Sequence, residues 1–203
     1  MCYSAMVEQH LKSIGLRFKA RIQTDLFEEL FRRRVREDTI KIPKALEANF
    51  ADPSTPEEVR IQDAIAAYRA RKTSALETEL FRQKKRFTEA QRSLQEKETK
   101  KAREDVRIAS HKIDWHARKL AELKRTAPEP HDGRIFPFWT APVLVREGGE
   151  MLIRPMRYHC RIQGKPETTD RRYPGLYNAR RDNLEGYWSP LFGHRFACRP
   201  SRG

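Results

Sequence analysis

"RIFPFWTAPVLVREGGEMLIRPMRYHCRI", residues 134–162, is the stretch on which the fold turns. Its short apolar runs are broken by prolines and by the Gly148-Gly149 pair. Two β-prone runs separated by a glycine pair predict a β-hairpin with its turn at "REGGE". The segment just before it, "TAPEPHDG", changes the texture of the chain from charged and helical to β-rich.

Upstream, residues 57–127 contain no glycine and no proline. Apolar residues recur at Ile61, Ile65, Tyr68, Leu76, Leu80, Phe87, Ala90 and Leu94, and again at Val106, Ala109, Ile113, Ala117, Leu120 and Leu123. The spacing is close to a 3–4 alternation and predicts helix. Between the two sets, "QEKETKKARED" loses the stripe. An antiparallel helical hairpin turning near residues 96–104 buries the stripe well, and one straight helix on the order of 100 Å long is the alternative. In "TDLFEELFRRRV", Leu26, Phe27, Leu30, Phe31 and Val35 share a face, with Thr24 and Asp25 as expected caps. "ANFADPSTPEEV" interrupts the helical pattern, and Ser54 or Thr55 is placed to cap the helix beyond it. Downstream, "QGKPETTDRRYPG" reads as loop, and "LYNARRDNLEGYWSPLFGHR" as a strand, a polar loop and a short helix. The expected class is α+β: an N-terminal part over residues 1–55, a charged helical insertion over 56–126 and a β-rich part over 127–203.

Of 203 residues, 42 are Lys or Arg and 28 are Asp or Glu, a net charge of +14. Residues 56–126 hold 19 basic against 12 acidic residues, and residues 151–203 hold 11 against 4. The surplus favours a polyanionic partner, because each cation placed on a phosphate releases condensed counterions. Its density is greatest in the last quarter, where a phosphate-binding surface is best sought. Cys2, Cys160 and Cys198 are too few and too scattered for a disulfide framework or a zinc site. His111 and His116, five apart on a helix, do not share a face for a metal, so neither metal nor other cofactor is expected. His159 and Cys160 are neighbours in an expected strand and would point to opposite faces, which argues against a Cys–His dyad. There is no apolar leader and no long apolar run, so the expectation is a cytoplasmic protein with no membrane partner.

"MCYSA" at the start, "FWTAPVLV", "LIRPMRYHC" and above all "YPGLYNARRDNLEG" together resemble the SOS response-associated peptidase-like (SRAP) family. The likeness spans residues 1–5 and roughly 136–192, with 56–126 as an insertion into an incomplete mixed β-barrel or sheet core. It implies a DNA-damage protein that recognises abasic sites in single-stranded DNA and links to them covalently. It also implies a peptidase activity, seen most simply as removal of Met1. Cys2 carries over as nucleophile, Asn178 as the group beside it that hydrogen-bonds the sugar or amine, and Arg180 as a grip on backbone phosphate. Arg181, Arg157 and Arg161 extend that track, with Arg171 and Arg172 beyond them and Tyr158, Tyr177 or Trp188 as stacking surfaces. The family's acid–base glutamate and histidine have no counterpart carried over here, neither Glu185 nor His194, and "ACRPSRG" reads as a truncated C-terminus.

The chemistry implied at Cys2 follows from its two nucleophiles. A free α-amine has a pKa of about 8, against about 10.4 for lysine, so part of it is unprotonated at neutral pH. It attacks the abasic aldehyde to give an imine. The thiol of the same residue then adds to the imine carbon and closes a thiazolidine, with the advantage of proximity. The competing readings are a basic helical nucleic-acid-binding or interaction module without chemistry, and an inactive fragment. The protein partner of the helical insertion is left open.

Overall fold

The structure is a computed structural model and describes residues 4–160, 165–166, 168–173 and 186. It is a mixed α+β protein with small sheets and long helices. The chain separates into two compact units, one made of residues 1–64 and 129–203 and the other of residues 65–128.

In the first unit the expected hairpin is present. β4 (Thr140–Glu147) and β5 (Glu150–Arg157) pair antiparallel from Thr140 opposite Arg157 to Glu147 opposite Glu150. Gly148 and Gly149 connect them with φ of +58° and +86°, the sign that a type I′ two-residue turn demands at both positions. Pro142 and Pro155 face each other, which confines the missing N–H donors to one rung of the ladder. β5 is central, because the two-residue β2 (Arg21–Ile22) adds to its other edge in parallel. A separate ribbon joins β1 (Ala5–Met6) to β3 (Arg134–Ile135) in antiparallel register. Neither short strand β1 nor β2 is long enough to show a period-2 pattern in sequence. Among the described residues the sheets do not close into a barrel.

Helices cover this sheet. α1 (Leu11–Phe18) and α2 (Thr24–Arg36) pack against β5, and the short α3 (Lys44–Glu47) lies beyond them. Phe27 and Phe31 of the expected apolar face are fully buried and meet Phe50 at 6.0 and 5.5 Å between ring centroids. Each such ring taken from water contributes about 1.5–3 kcal/mol. Leu11, Leu46, Ile61, Ile135, Val145 and Ile153 complete the core. The expected caps of α2 are displaced by one residue. Gln23 is the N-cap, because its own N–H continues the β-ladder by donating to Ile153 O, and Thr24 is already helical.

Two polar devices hold this part together. Arg34 and Glu47 form an ion pair with both side chains over nine-tenths buried. Asn49 accepts the Leu11 N–H at 2.8 Å and donates to Gln9 O at 2.7 Å, tying the start of α1 to the turn after α3. The second unit is helical. α4 (Pro56–Glu96) begins with Thr55 Oγ1 accepting the Glu58 N–H, while the Glu58 carboxylate accepts from Ser54 N–H and Oγ. That reciprocal arrangement satisfies donors a helix start leaves open, and the expected Ser54 or Thr55 cap uses both residues. Only the first residues of α4 belong to the first unit.

α5 (Lys100–Lys124) follows after three residues, with Thr99 accepting the Ala102 N–H as its cap. Ion pairs join Arg86 to Asp105 and Glu77 to Lys124, so the two helices run back along one another, reversing at residues 97–99. Gln83, Ala90, Ala102, Ala109 and Leu120 are buried in this unit, while Ala117 of the expected stripe is exposed. No described helix is long and apolar enough to cross a membrane.

Candidate functional site

The segment leading away from Cys2 is firmly held. Ala5 lies opposite Ile135 and Met6 opposite Arg134, and the Ser4 hydroxyl accepts from Arg134 Nη1 at 3.2 Å. Val7 N–H and Gln9 Nε2 both donate to Gly133 O, at 3.4 and 3.2 Å. A side chain at Gly133 would meet Val7 O at 3.3 Å, so this close approach favours glycine.

β3 leads directly into an unusual turn. Trp139 N–H donates to Phe136 O at 3.0 Å, with Pro137 and Phe138 as the central residues. Proline suits the first of these, but Phe138 has φ of 72°, a conformation normally left to glycine or asparagine at this position. Holding a phenylalanine there costs on the order of 1–3 kcal/mol, and such strain collects at functional sites. The surroundings over-determine it. Phe138 N–H donates to Tyr158 O at 2.9 Å, and Tyr158 N–H returns to Trp139 O at 2.7 Å.

The Phe138 ring is the floor of a polar cluster. The His159 imidazole stacks on it with centroids 4.7 Å apart and a 30° tilt, and the Arg157 guanidinium lies 5.9 Å from its centroid. Asp170 closes the circle: one carboxylate oxygen accepts from Arg157 Nη2, and the other lies 3.2 Å from His159 Nε2. The Asp170 and His159 side chains are nearly fully buried, whereas Arg157 keeps 35% of its side chain in solvent. A carboxylate buried this deeply is stable only when paired and hydrogen-bonded. Asp170 sits on α6 (Thr168–Arg172), a short helix where the sequence reads as loop. "TTDRR" contains no apolar residue to announce it; the anchoring is ionic rather than hydrophobic.

Of the expected site residues, Arg157 falls within this cluster, at the last position of β5. Its guanidinium serves Asp170 while part of the side chain faces solvent. Cys2, Asn178, Arg180, Arg181 and Arg161 lie outside the described residues, as do Tyr177, Trp188, Glu185 and His194. Arg172 is exposed and lies over the Tyr173 ring at 5.8 Å. β5 ends at Arg157, so His159 and Cys160 are not strand neighbours and the alternation argument does not apply to them. The Cys160 thiol is pushed above its ordinary pKa by burial, the opposite of what an activated nucleophile needs. The signal that could have exposed the cluster is Pro137-Phe138, a turn dipeptide whose second residue is wrong for the turn.

No family model, no curated protein and no solved structure matches the chain.

Proposed function

We propose that the chain is an SRAP-type protein that captures abasic sites in single-stranded DNA, with Cys2 as the nucleophile once Met1 is removed. The observation that carries the reading is the pairing of Ala5–Met6 with Ile135–Arg134. It ties the residues just after Cys2 to the strand that feeds the strained Phe138 turn and its Arg157–Asp170–His159 cluster. A reactive terminus needs a fixed tether, and a frayed end would lose the gain from proximity. Arg157, on the rim of the same unit, contributes a cation for backbone phosphate. Asn178 and Arg180 of the Asn-Ala-Arg motif supply the remaining contacts to sugar and phosphate, and Arg181 and Arg161 add cations for further phosphates.

The reaction balances without a cofactor. The Cys2 amine adds to the ring-opened aldehyde and one water leaves as the imine forms. The thiol then adds across the imine, its proton passing to nitrogen. Intact-mass spectrometry after incubation with abasic single-stranded DNA tests this. The expected species has the summed mass of protein and DNA less one water, and disappears for Cys2→Ser and for protein that retains Met1. Correctly processed protein that yields no adduct overturns the proposal.

A further inference from the structure

The helical unit carries charge that the abasic-site reading does not use. Residues 65–128 contain 18 Lys and Arg against 9 Asp and Glu, a surplus of 9 out of +14 for the whole chain. The acids are mostly consumed. Seven of those nine are ion-paired within the unit, at Glu77, Glu79, Glu89, Glu98, Glu104, Asp105 and Glu122. The remaining charge is unevenly placed around α5. Its buried stripe runs through Ala102, Ala109 and Leu120. At 100° per residue, Lys101, Lys112, Trp115 and Lys119 fall along one flank of that stripe, and Asp114 falls on the other side.

None of Lys101, Lys112 and Lys119 has an ion-pair partner among the described residues. In their midst Trp115 is 48% exposed. His116 holds its indole edge-on at 4.8 Å between centroids, and the Lys119 ammonium lies 5.7 Å from the ring centroid. An exposed tryptophan is a cost in water unless something covers it, and lysines around it disfavour a protein partner, whose interface core is depleted of that residue. An unstacked base covers an aromatic face while its phosphates take up the flanking cations. Duplex DNA offers the phosphates but no free base face.

We infer that Lys112, Trp115 and Lys119 on the flank of α5 form a stacking site for single-stranded DNA, separate from the Cys2 chemistry. A base stacks on the indole of Trp115, and the Lys119 ammonium moves from the ring to the adjacent phosphate. Lys112 and Lys119, about 10 Å apart along the helix, bracket the stacked nucleotide, and Lys101 extends the track.

Fluorescence titration of the full chain with an undamaged dT20 oligonucleotide, at several salt concentrations, tests the site. The Trp115→Ala variant is expected to bind roughly 5- to 150-fold more weakly, the range for losing one base–aromatic stack. Trp115→Phe retains most of the affinity. Lys112→Ala combined with Lys119→Ala lowers the salt slope by about 1.4, at about 0.7 per phosphate contact on a single strand. Cys2→Ala leaves all of these values unchanged, so failure of the abasic-site reading and failure of this one are distinguishable. Wild-type affinity and slope in the lysine variant, whose exposed substitutions leave the helix intact by circular dichroism, overturn the proposal. So does equal binding of dT20 and a duplex of the same length.

Discussion

His159 Nε2 lies 3.2 Å from an Asp170 carboxylate oxygen, with both side chains almost completely out of water. The other oxygen of the same carboxylate takes the Arg157 guanidinium. One buried anion therefore joins the end of β5 to α6, the last described helix before the stretch that carries Asn178 and Arg180. Replacing Asp170 by Ala leaves a buried imidazole and a partly buried guanidinium without their common acceptor. The expected loss is about 3 kcal/mol, the low end for breaking a buried pair, because Arg157 retains access to water. Urea denaturation measures it, and a change below about 0.5 kcal/mol would remove the cluster's structural role.

Arg34 and Glu47 pose a cleaner electrostatic question, since neither side chain can relax into solvent. Arg34→Met takes the guanidinium away from the buried Glu47 carboxylate and is expected to cost about 3–5 kcal/mol. Adding Glu47→Leu removes the buried carboxylate as well, and the double variant should recover most of that loss. A double variant as unstable as the single one would show that the pair contributes specific hydrogen bonding that apolar packing does not replace.

These two ion pairs mark where the sequence was and was not readable. The hairpin around Gly148-Gly149, the Ser54-Thr55 start of α4 and the reversal near residue 98 all arise from local signals: a turn dipeptide, a capping pattern, a lost stripe. The apolar face of α2 follows from its period, and Phe27 and Phe31 are buried accordingly. The elements that escape are held by partners distant in sequence. β1 and β2 are two residues each and exist because Ile135 and Leu152 pair with them. α6 has no apolar face and is held through Asp170, so nothing in "TTDRR" distinguishes it from loop. Arg157 was legible only as a cation; its engagement by Asp170 is a tertiary fact. The residues proposed to carry the chemistry rest on the motif order in the sequence.

The start of α4 gives a pH dependence of definite sign. The Glu58 carboxylate is held below its ordinary pKa, first by the Ser54 backbone N–H and further by the Ser54 hydroxyl. The folded state therefore favours the ionised form, and the stabilisation is present above the unfolded pKa of about 4.3 and lost as pH falls through the lower folded value. Glu58→Gln keeps an acceptor but no charge. At pH 7 it should be less stable than wild type by about 0.5–1 kcal/mol, in the range of a helix cap. The difference should shrink toward zero as pH falls through the lowered folded value, below which Glu58 is itself neutral. Thermal melts across that range read the effect, and a difference independent of pH would contradict it.

The Phe138 turn permits a test in which the usual ranking of two substitutions inverts. Ordinarily glycine is worse than alanine, by roughly 0.5–1 kcal/mol, because it has more conformational freedom to lose. At φ of 72° the comparison reverses, since alanine keeps the Cβ penalty of a left-handed residue, about 1–2 kcal/mol, and glycine does not. Both variants lose the ring that stacks on His159 and lies under Arg157. The packing loss is therefore common to the pair and cancels in the comparison. Phe138→Gly is expected to be about 1 kcal/mol more stable than Phe138→Ala, although both fall below wild type. If the turn is strained in order to aim the aromatic ring, adduct yield with abasic DNA should fall equally in both variants despite their different stabilities. Yield that instead tracks stability would assign the ring to packing alone.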